Sequence, residues 1–137
     1  LNEVLDLFNQ ALSKTKFVVG QNLNFDLNIM GCEFHRSNIS TNLNDLPVLD
    51  TCTEKTALLC ELPGGRYGKF KLPTLTELHQ YLFNQPFAEA HNATADVEAT
   101  TRCFFELIRT EIFTEKELQV DGDYFNKFKT IYSIKIK

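Results

Sequence analysis

Apolar and polar positions recur along this chain with two different periods. Short apolar runs at residues 17–19 and 48–49, rich in β-branched side chains, predict buried strands. Longer segments repeat apolar residues every three or four positions, which predicts amphipathic helices. The first helical pattern consists of Val4, Leu5, Phe8, Ala11 and Leu12. Because strand and helix patterns alternate, the sequence predicts an α/β protein.

Helix-start signals divide the rest of the chain. Thr51 and Glu54 fit a capping box that opens a helix to about residue 62, and Thr74 with Glu77 fits a second one. A long amphipathic helix is predicted over about residues 94–112. We therefore expect one domain over residues 1–112 and a C-terminal tail of undetermined role over residues 113–137.

The tail carries two weaker patterns. Residues 124–132 have helical spacing, and Ile134 and Ile136 alternate with lysines as in an edge strand. The tail could pack on the domain or contact a partner.

Composition narrows the class of protein. A hydrophobic fraction of 43% with 12 phenylalanines is sufficient for a packed core, and the net charge of −4 argues against a bulk electrostatic DNA binder. The four cysteines lack zinc-ligand spacing, which is typical of buried thiols in a reducing cytosol. No apolar run approaches the ~18 residues of a membrane span. These features predict a cytoplasmic protein with no membrane partner.

The first candidate for chemistry follows the first predicted strand. Gly20 and Asn22 end that strand, a helical pattern starts at Phe25, and Asp26 falls in its first turn. Ligands of α/β sheets bind outside the carboxyl ends of the strands. A carboxylate at this point suits a hard cation such as Mg²⁺, although a helix-start aspartate also complements the helix dipole.

A second candidate precedes the long helix. His91 lies in the preceding loop and Asp96 in or near the first turn. The pair combines a titratable base with another potential metal ligand. Taken singly, each residue also fits an ordinary surface role.

These two stretches together resemble the DEDDh 3′→5′ exonucleases, most closely the proofreading (epsilon) subunits of bacterial DNA polymerase III. Residues 21–26, Gln-Asn-Leu-Asn-Phe-Asp, resemble the family's second motif. His91 followed five positions later by Asp96 resembles its third motif. The resemblance extends over residues 17–109 in the family's order.

The resemblance implies a ribonuclease H-like exonuclease fold and a defined set of roles. Asp26 and Asp96 would be metal ligands for two divalent ions, Mg²⁺ or Mn²⁺. His91 would be the general base that activates a water molecule. Asn22 and Phe25 would contact substrate, a single-stranded DNA 3′ end, with RNA left open. A polymerase subunit is the implied partner.

The chain departs from the family at two points. Gln21 stands where the second motif often has histidine. The first motif, Asp-x-Glu at the end of a strand, is missing, since the single Asp-x-Glu in the sequence is residues 96–98, inside the predicted long helix. We therefore expect a fragment that lacks the family's N-terminal antiparallel strands and is inactive alone.

Three alternatives remain beside the DNA exonuclease. One is an RNA-trimming exonuclease of the same family. Another is an inactive nuclease-like module that binds nucleic acid or a polymerase partner. The last is an unrelated α/β domain in which the motifs occur by chance.

Overall fold

The computed structural model describes residues 1–87, 91–118, 122–123, 125–127 and 129–130. Helices and a small parallel sheet alternate along the chain, so the predicted α/β class is confirmed. In chain order the elements are α1 (Asn2–Ser13), β1 (Val18–Gly20), α2 (Asn24–Arg36), a 3₁₀ turn (Leu43–Asp45), β2 (Val48–Asp50), α3 (Glu54–Cys60), α4 (Leu75–Phe83), α5 (Ala93–Arg109) and α6 (Glu115–Leu118).

The two strands pair in parallel, with Val18 opposite Val48 and Gly20 opposite Asp50. Successive side chains of a strand point to opposite faces of the sheet. Val18 accordingly packs on one apolar cluster and Val19 on another. The sheet is therefore covered by helices on both faces, as parallel strands require.

The smaller cluster joins α1 and α2. It is built around Leu5, Leu12, Phe34 and Leu43. Val4, which the helical pattern places on the covered face, is exposed. The buried face of α1 is thus narrower than the apolar face that the sequence pattern predicts.

The larger cluster lies between the sheet, α4 and α5, and it includes Leu78, Leu107 and Ile108. Part of the predicted tail belongs to it, because Phe113, Leu118 and Phe125 are buried there. The described part of the tail therefore packs on the domain. The expected edge strand at Ile134 and Ile136 lies outside the described residues.

The two predicted capping boxes have different outcomes. Thr74 caps α4 with Glu77 as its partner, as predicted. The prediction for α3 is wrong: its cap is Thr53, which pairs with Thr56. Thr51 is completely buried, and its hydroxyl donates to Gly20 and Gln21, so it is not available to cap a helix. α3 ends earlier than predicted, at Cys60, where Glu61 adopts a left-handed conformation with φ 52°.

In the part of the chain that is described, no helix combines the length and the apolar character needed to cross a membrane.

Candidate active site

A cavity of about 870 Å³ opens at the carboxyl end of β1. Its wall is formed by the end of β1, the start of α2, the first turn of α4 and one face of α5. Among the described residues, its ionisable side chains are Asp26, His91 and Asp96. The residues of the two sequence motifs, about 65 positions apart along the chain (91 − 26 = 65), thus line one cavity.

The turn between β1 and α2 is held by Asp50, at the end of the neighbouring strand. The Asp50 carboxylate accepts the backbone N–H groups of Asn22 at 2.7 Å and Leu23 at 2.8 Å. It also accepts the N–H of Cys52 at 2.8 Å. Helix starts leave such N–H groups without partners, so one carboxylate both caps the entry to α2 and ties it to β2. These hydrogen bonds give Asp50 a structural role at the edge of the site.

A second tie runs through Gln21. Its amide nitrogen donates to the carbonyl of Pro73 at 2.9 Å, and its amide oxygen accepts the hydroxyl of Thr51. Gln21 therefore joins both strand ends to the segment that leads into α4. Because Gln21 also lines the cavity, this tie fixes the relative positions of three of its walls.

His91 and Asp96 are held together by a backbone contact. The N–H of His91 donates to Asp96 Oδ1 at 3.2 Å. Asn92 caps α5 by accepting the N–H groups of Thr94 and Ala95 at 3.0 and 3.2 Å. His91 itself has a φ of 76°, in the left-handed region. His91 is exposed and lines the cavity, so solvent can reach it there.

Asn22 and Phe25 do not line the cavity. Asn22 has a φ of 59°, which asparagine tolerates better than most residues, and it completes the turn below α2. Phe25 is 71% exposed. Substrate contact by either residue stays a prediction.

The donor set fits a hard divalent cation in part. Mg²⁺ prefers oxygen ligands and is commonly held by one or two carboxylates together with substrate phosphates and water. Asp26 and Asp96 supply two carboxylates to the lining of the cavity. Within the described ranges, however, no group of three or more His, Cys, Asp and Glu residues is arranged to hold a metal ion. A site for two ions would need further carboxylates.

Other wall residues were not singled out from the sequence. Val97, Thr100, Thr101 and Phe104 line the cavity from α5, together with Asp96. Their positions follow the helical period, so the face that carries Asp96 could have been extended along α5 by counting.

His79 lies behind the cavity wall and contacts one of the residues that line it. It is buried, its Nδ1–H donates to the Gln85 carbonyl at 2.8 Å, and Nε2 accepts from Arg102. Its ring lies beside Phe87, with centroids 5.4 Å apart, and Phe87 lines the cavity. His79 thus supports one wall of the site through its contact with Phe87.

The cysteines contribute no thiolate to the site. Burial raises the pKa of Cys52 and of Cys60, and it raises the pKa of Cys103 to about 12. All four cysteines are free. None of them lines the cavity.

No family model matches this chain, and no curated protein and no solved structure matches it either.

Proposed function

We propose that this chain is the part of a metal-dependent 3′→5′ exonuclease, with a ribonuclease H-like fold, that removes nucleotides from single-stranded 3′ ends. The observation that carries the proposal is the lining of one cavity by Asp26, His91 and Asp96. Their place at the carboxyl end of a parallel strand is where α/β proteins bind ligands. The order and spacing of the two motifs further favour this function over an unrelated α/β domain.

Each side chain has a task in phosphodiester hydrolysis. Divalent ions, when bound, offset the charge of the phosphate and of the departing 3′ oxygen. Asp26 and Asp96 would hold them from two sides of the cavity. The His91 imidazole would take the proton of the attacking water, because histidine is the side chain that most often serves as a general base. The backbone bond from His91 to Asp96 would keep base and metal ligand in register.

The proposal requires two further carboxylates from outside the described residues. Glu98 cannot supply one, because it lies on α5 away from the cavity. We therefore expect the chain to bind Mn²⁺ weakly when it is alone. Tight binding of two ions by this chain in a calorimetric titration would contradict this requirement.

The direct test uses the natural full-length protein with 5′-labelled single-stranded DNA and RNA in Mg²⁺ or Mn²⁺. Asp26→Asn and Asp96→Asn should abolish stepwise shortening from the 3′ end. His91→Asn should lower kcat by about 10²- to 10⁴-fold, the usual contribution of a general base. Asparagine is a better replacement than alanine for this test, because it tolerates the left-handed backbone conformation of His91.

Asp45→Asn is the matched control, because this carboxylate lies in the 3₁₀ turn and does not line the cavity. A strand with a blocked 3′ end should resist shortening. An Asp26→Asn enzyme with full activity would refute this cavity as the hydrolytic site, and a His91→Asn enzyme with full activity would remove only the histidine from the proposal.

A second candidate is an inactive nuclease-like module that binds nucleic acid or a polymerase partner. The lack of a three-ligand group in the described part of the chain favours it. Metal-independent binding of single strands without shortening, in the full-length protein, would select this candidate.

A further inference from the structure

A second groove, of about 680 Å³, lies between α3 and the loop of residues 64–72, here called the tyrosine loop. The loop is a built structure. Lys71 N–H donates to the Leu62 carbonyl at 2.9 Å, and Lys69 N–H donates to the Arg66 carbonyl at 3.1 Å. A Cβ at Gly65 would lie 2.0 Å from the Lys69 carbonyl oxygen, so the two arms approach as closely as glycine allows.

Tyr67 stands at the tip of this loop, and the fold does not explain it. Its side chain is 98% exposed, so the ring contributes almost no packing. Its φ of 56° is in the left-handed region, which is unfavourable for a tyrosine and easy for a glycine. The side chain is thus presented to solvent at a cost to the backbone, which points to a role in contact with another molecule.

The groove beside Tyr67 has an exposed apolar floor. Leu58 of α3, Phe70 and Leu72 line it, and all three are among the exposed large hydrophobic residues of the chain. A contiguous apolar surface of this kind marks a binding surface more often than an isolated exposed leucine does. A flat aromatic ring next to it provides a platform on which a planar ligand can stack.

The charges around the groove select a polyanion. Its lining carries three cations, Arg66, Lys69 and Lys71, and one carboxylate, Glu54, in a chain whose net charge is −4. Lys71 also pairs with Glu77, which lies outside the lining of the groove. Lys69 pairs with Glu54 at 2.8 Å, but both side chains are well exposed, so exchange of Glu54 for a phosphate costs little. Alternating cations and aromatic rings are the pattern with which proteins bind single-stranded nucleic acid.

The groove and the cavity are lined by residues that are neighbours in the sequence. Leu72 lines the groove and Thr74 lines the cavity, with only the buried Pro73 between them. The Pro73 carbonyl is the group that Gln21 binds from the cavity side. The two surfaces are therefore joined by a short, fixed segment.

We infer that the tyrosine loop binds single-stranded nucleic acid upstream of the 3′ end, which the proposed function places in the cavity. Tyr67 stacks on a base, and Arg66 and Lys69 contact phosphates. This inference rests on the proposed function for the identity of the strand, but the contact itself needs neither metal ions nor a free 3′ end.

The test measures the affinity of the chain for fluorescent oligothymidylate, linear and circular, in low salt with EDTA. The circular strand has no 3′ end and therefore reports on the groove alone. Tyr67→Gly should weaken binding of both strands about tenfold or more, the range that loss of one base stack produces. Arg66→Ala should reduce the dependence of log affinity on log salt by about 0.7, the value for one phosphate contact on a single strand.

The chain offers matched controls. Tyr81→Ala removes a half-exposed tyrosine on α4, and Arg36→Ala removes an exposed arginine at the end of α2. Neither should change affinity for the circular strand. Tyr67→Gly should also have an equal or higher Tm than the parent, because glycine fits the left-handed backbone. A loss of binding with a retained Tm therefore reports on the ring and not on folding.

The results separate this inference from the proposed function. Dependence of circular-strand affinity on Tyr67 supports the groove even if Asp26→Asn has no effect on shortening. Unchanged affinity in Tyr67→Gly overturns the groove even if shortening depends on Asp26. A parent chain with no measurable affinity for either strand also overturns it, and a partner protein would then be the occupant to test.

Discussion

Removal of the Asp50 carboxylate should destabilise the protein strongly, although Asp50 is neither fully buried nor part of an ion pair with a described residue. Its two oxygens accept three backbone N–H groups at 2.7–2.8 Å. Asp50→Ala would leave all three donors without this acceptor, at the point where β1, β2 and α2 meet.

The magnitude follows from these three bonds. A hydrogen bond to a charged group contributes about 1.5–3 kcal/mol when its donor is shielded, and less when water can replace the acceptor. The donor on Asn22 is exposed and those on Leu23 and Cys52 are part-buried. We therefore expect Asp50→Ala to lower the free energy of unfolding by about 3 kcal/mol, a large share of the 5–15 kcal/mol typical of a domain.

Urea unfolding followed by circular dichroism measures this loss as a lower midpoint at an unchanged slope. Asp45→Ala, which removes an exposed carboxylate from the 3₁₀ turn, should change the free energy by less than about 0.5 kcal/mol. Hydrogen exchange at the N–H groups of residues 22, 23 and 52 should accelerate in Asp50→Ala. A loss no larger than that of Asp45→Ala would refute the assignment of Asp50 as the tie between the strands and α2.

Three further predictions concern other elements. Thr53→Ala should cost about 1 kcal/mol in urea unfolding, because it removes the cap of α3; an unaffected midpoint would contradict the cap. The hydrogen bond from Lys71 holds the pKa of Glu77 below its usual value, so the stability that Glu77 adds is present above about pH 4.5 and is lost as the pH falls through the lowered pKa. The Tm gap between the parent and Glu77→Gln should therefore shrink between about pH 5 and pH 3, and a constant gap would refute this. Burial raises the pKa of Cys103 to about 12, so at pH 8 a thiol reagent should label the exposed Cys32 and leave Cys103 unlabelled until the protein unfolds, as mass spectrometry would show.

Local signals in the sequence were sufficient where a residue acts on its near neighbours. The strand before Gly20, the start of α2, the Thr74 cap and the helical period of α5 all depend on contacts within a few positions. Such contacts are set by backbone geometry and hydrogen bonding, which a short window of sequence contains.

Prediction failed where a distant partner competes for a side chain. Thr51 fits the capping-box pattern in the sequence, but its hydroxyl binds Gly20 and Gln21 across the sheet. Local capping preference is weaker than the cost of leaving a buried polar group without a partner. The cap consequently moves to Thr53, two positions later.

The site was predictable only as two separate halves. Spacing places Asp26 and Asp96 each at a helix start, but their approach depends on how α5 packs against β1, which involves contacts between residues far apart in the chain. The expectation that the two halves meet came from the resemblance to a nuclease family, not from the local patterns. The tyrosine loop is basic and aromatic in sequence, whereas the exposure and backbone conformation of Tyr67 required coordinates.

The left-handed conformation of Glu61 strains the backbone at the end of α3, and a substitution there could increase stability. The equivalent position after α4 is Asn84, a residue that adopts this conformation readily, whereas glutamate does not. A glycine there would relieve the backbone without touching either binding surface. The end of α3 is consequently a natural starting point for a more heat-resistant version suited to crystallisation.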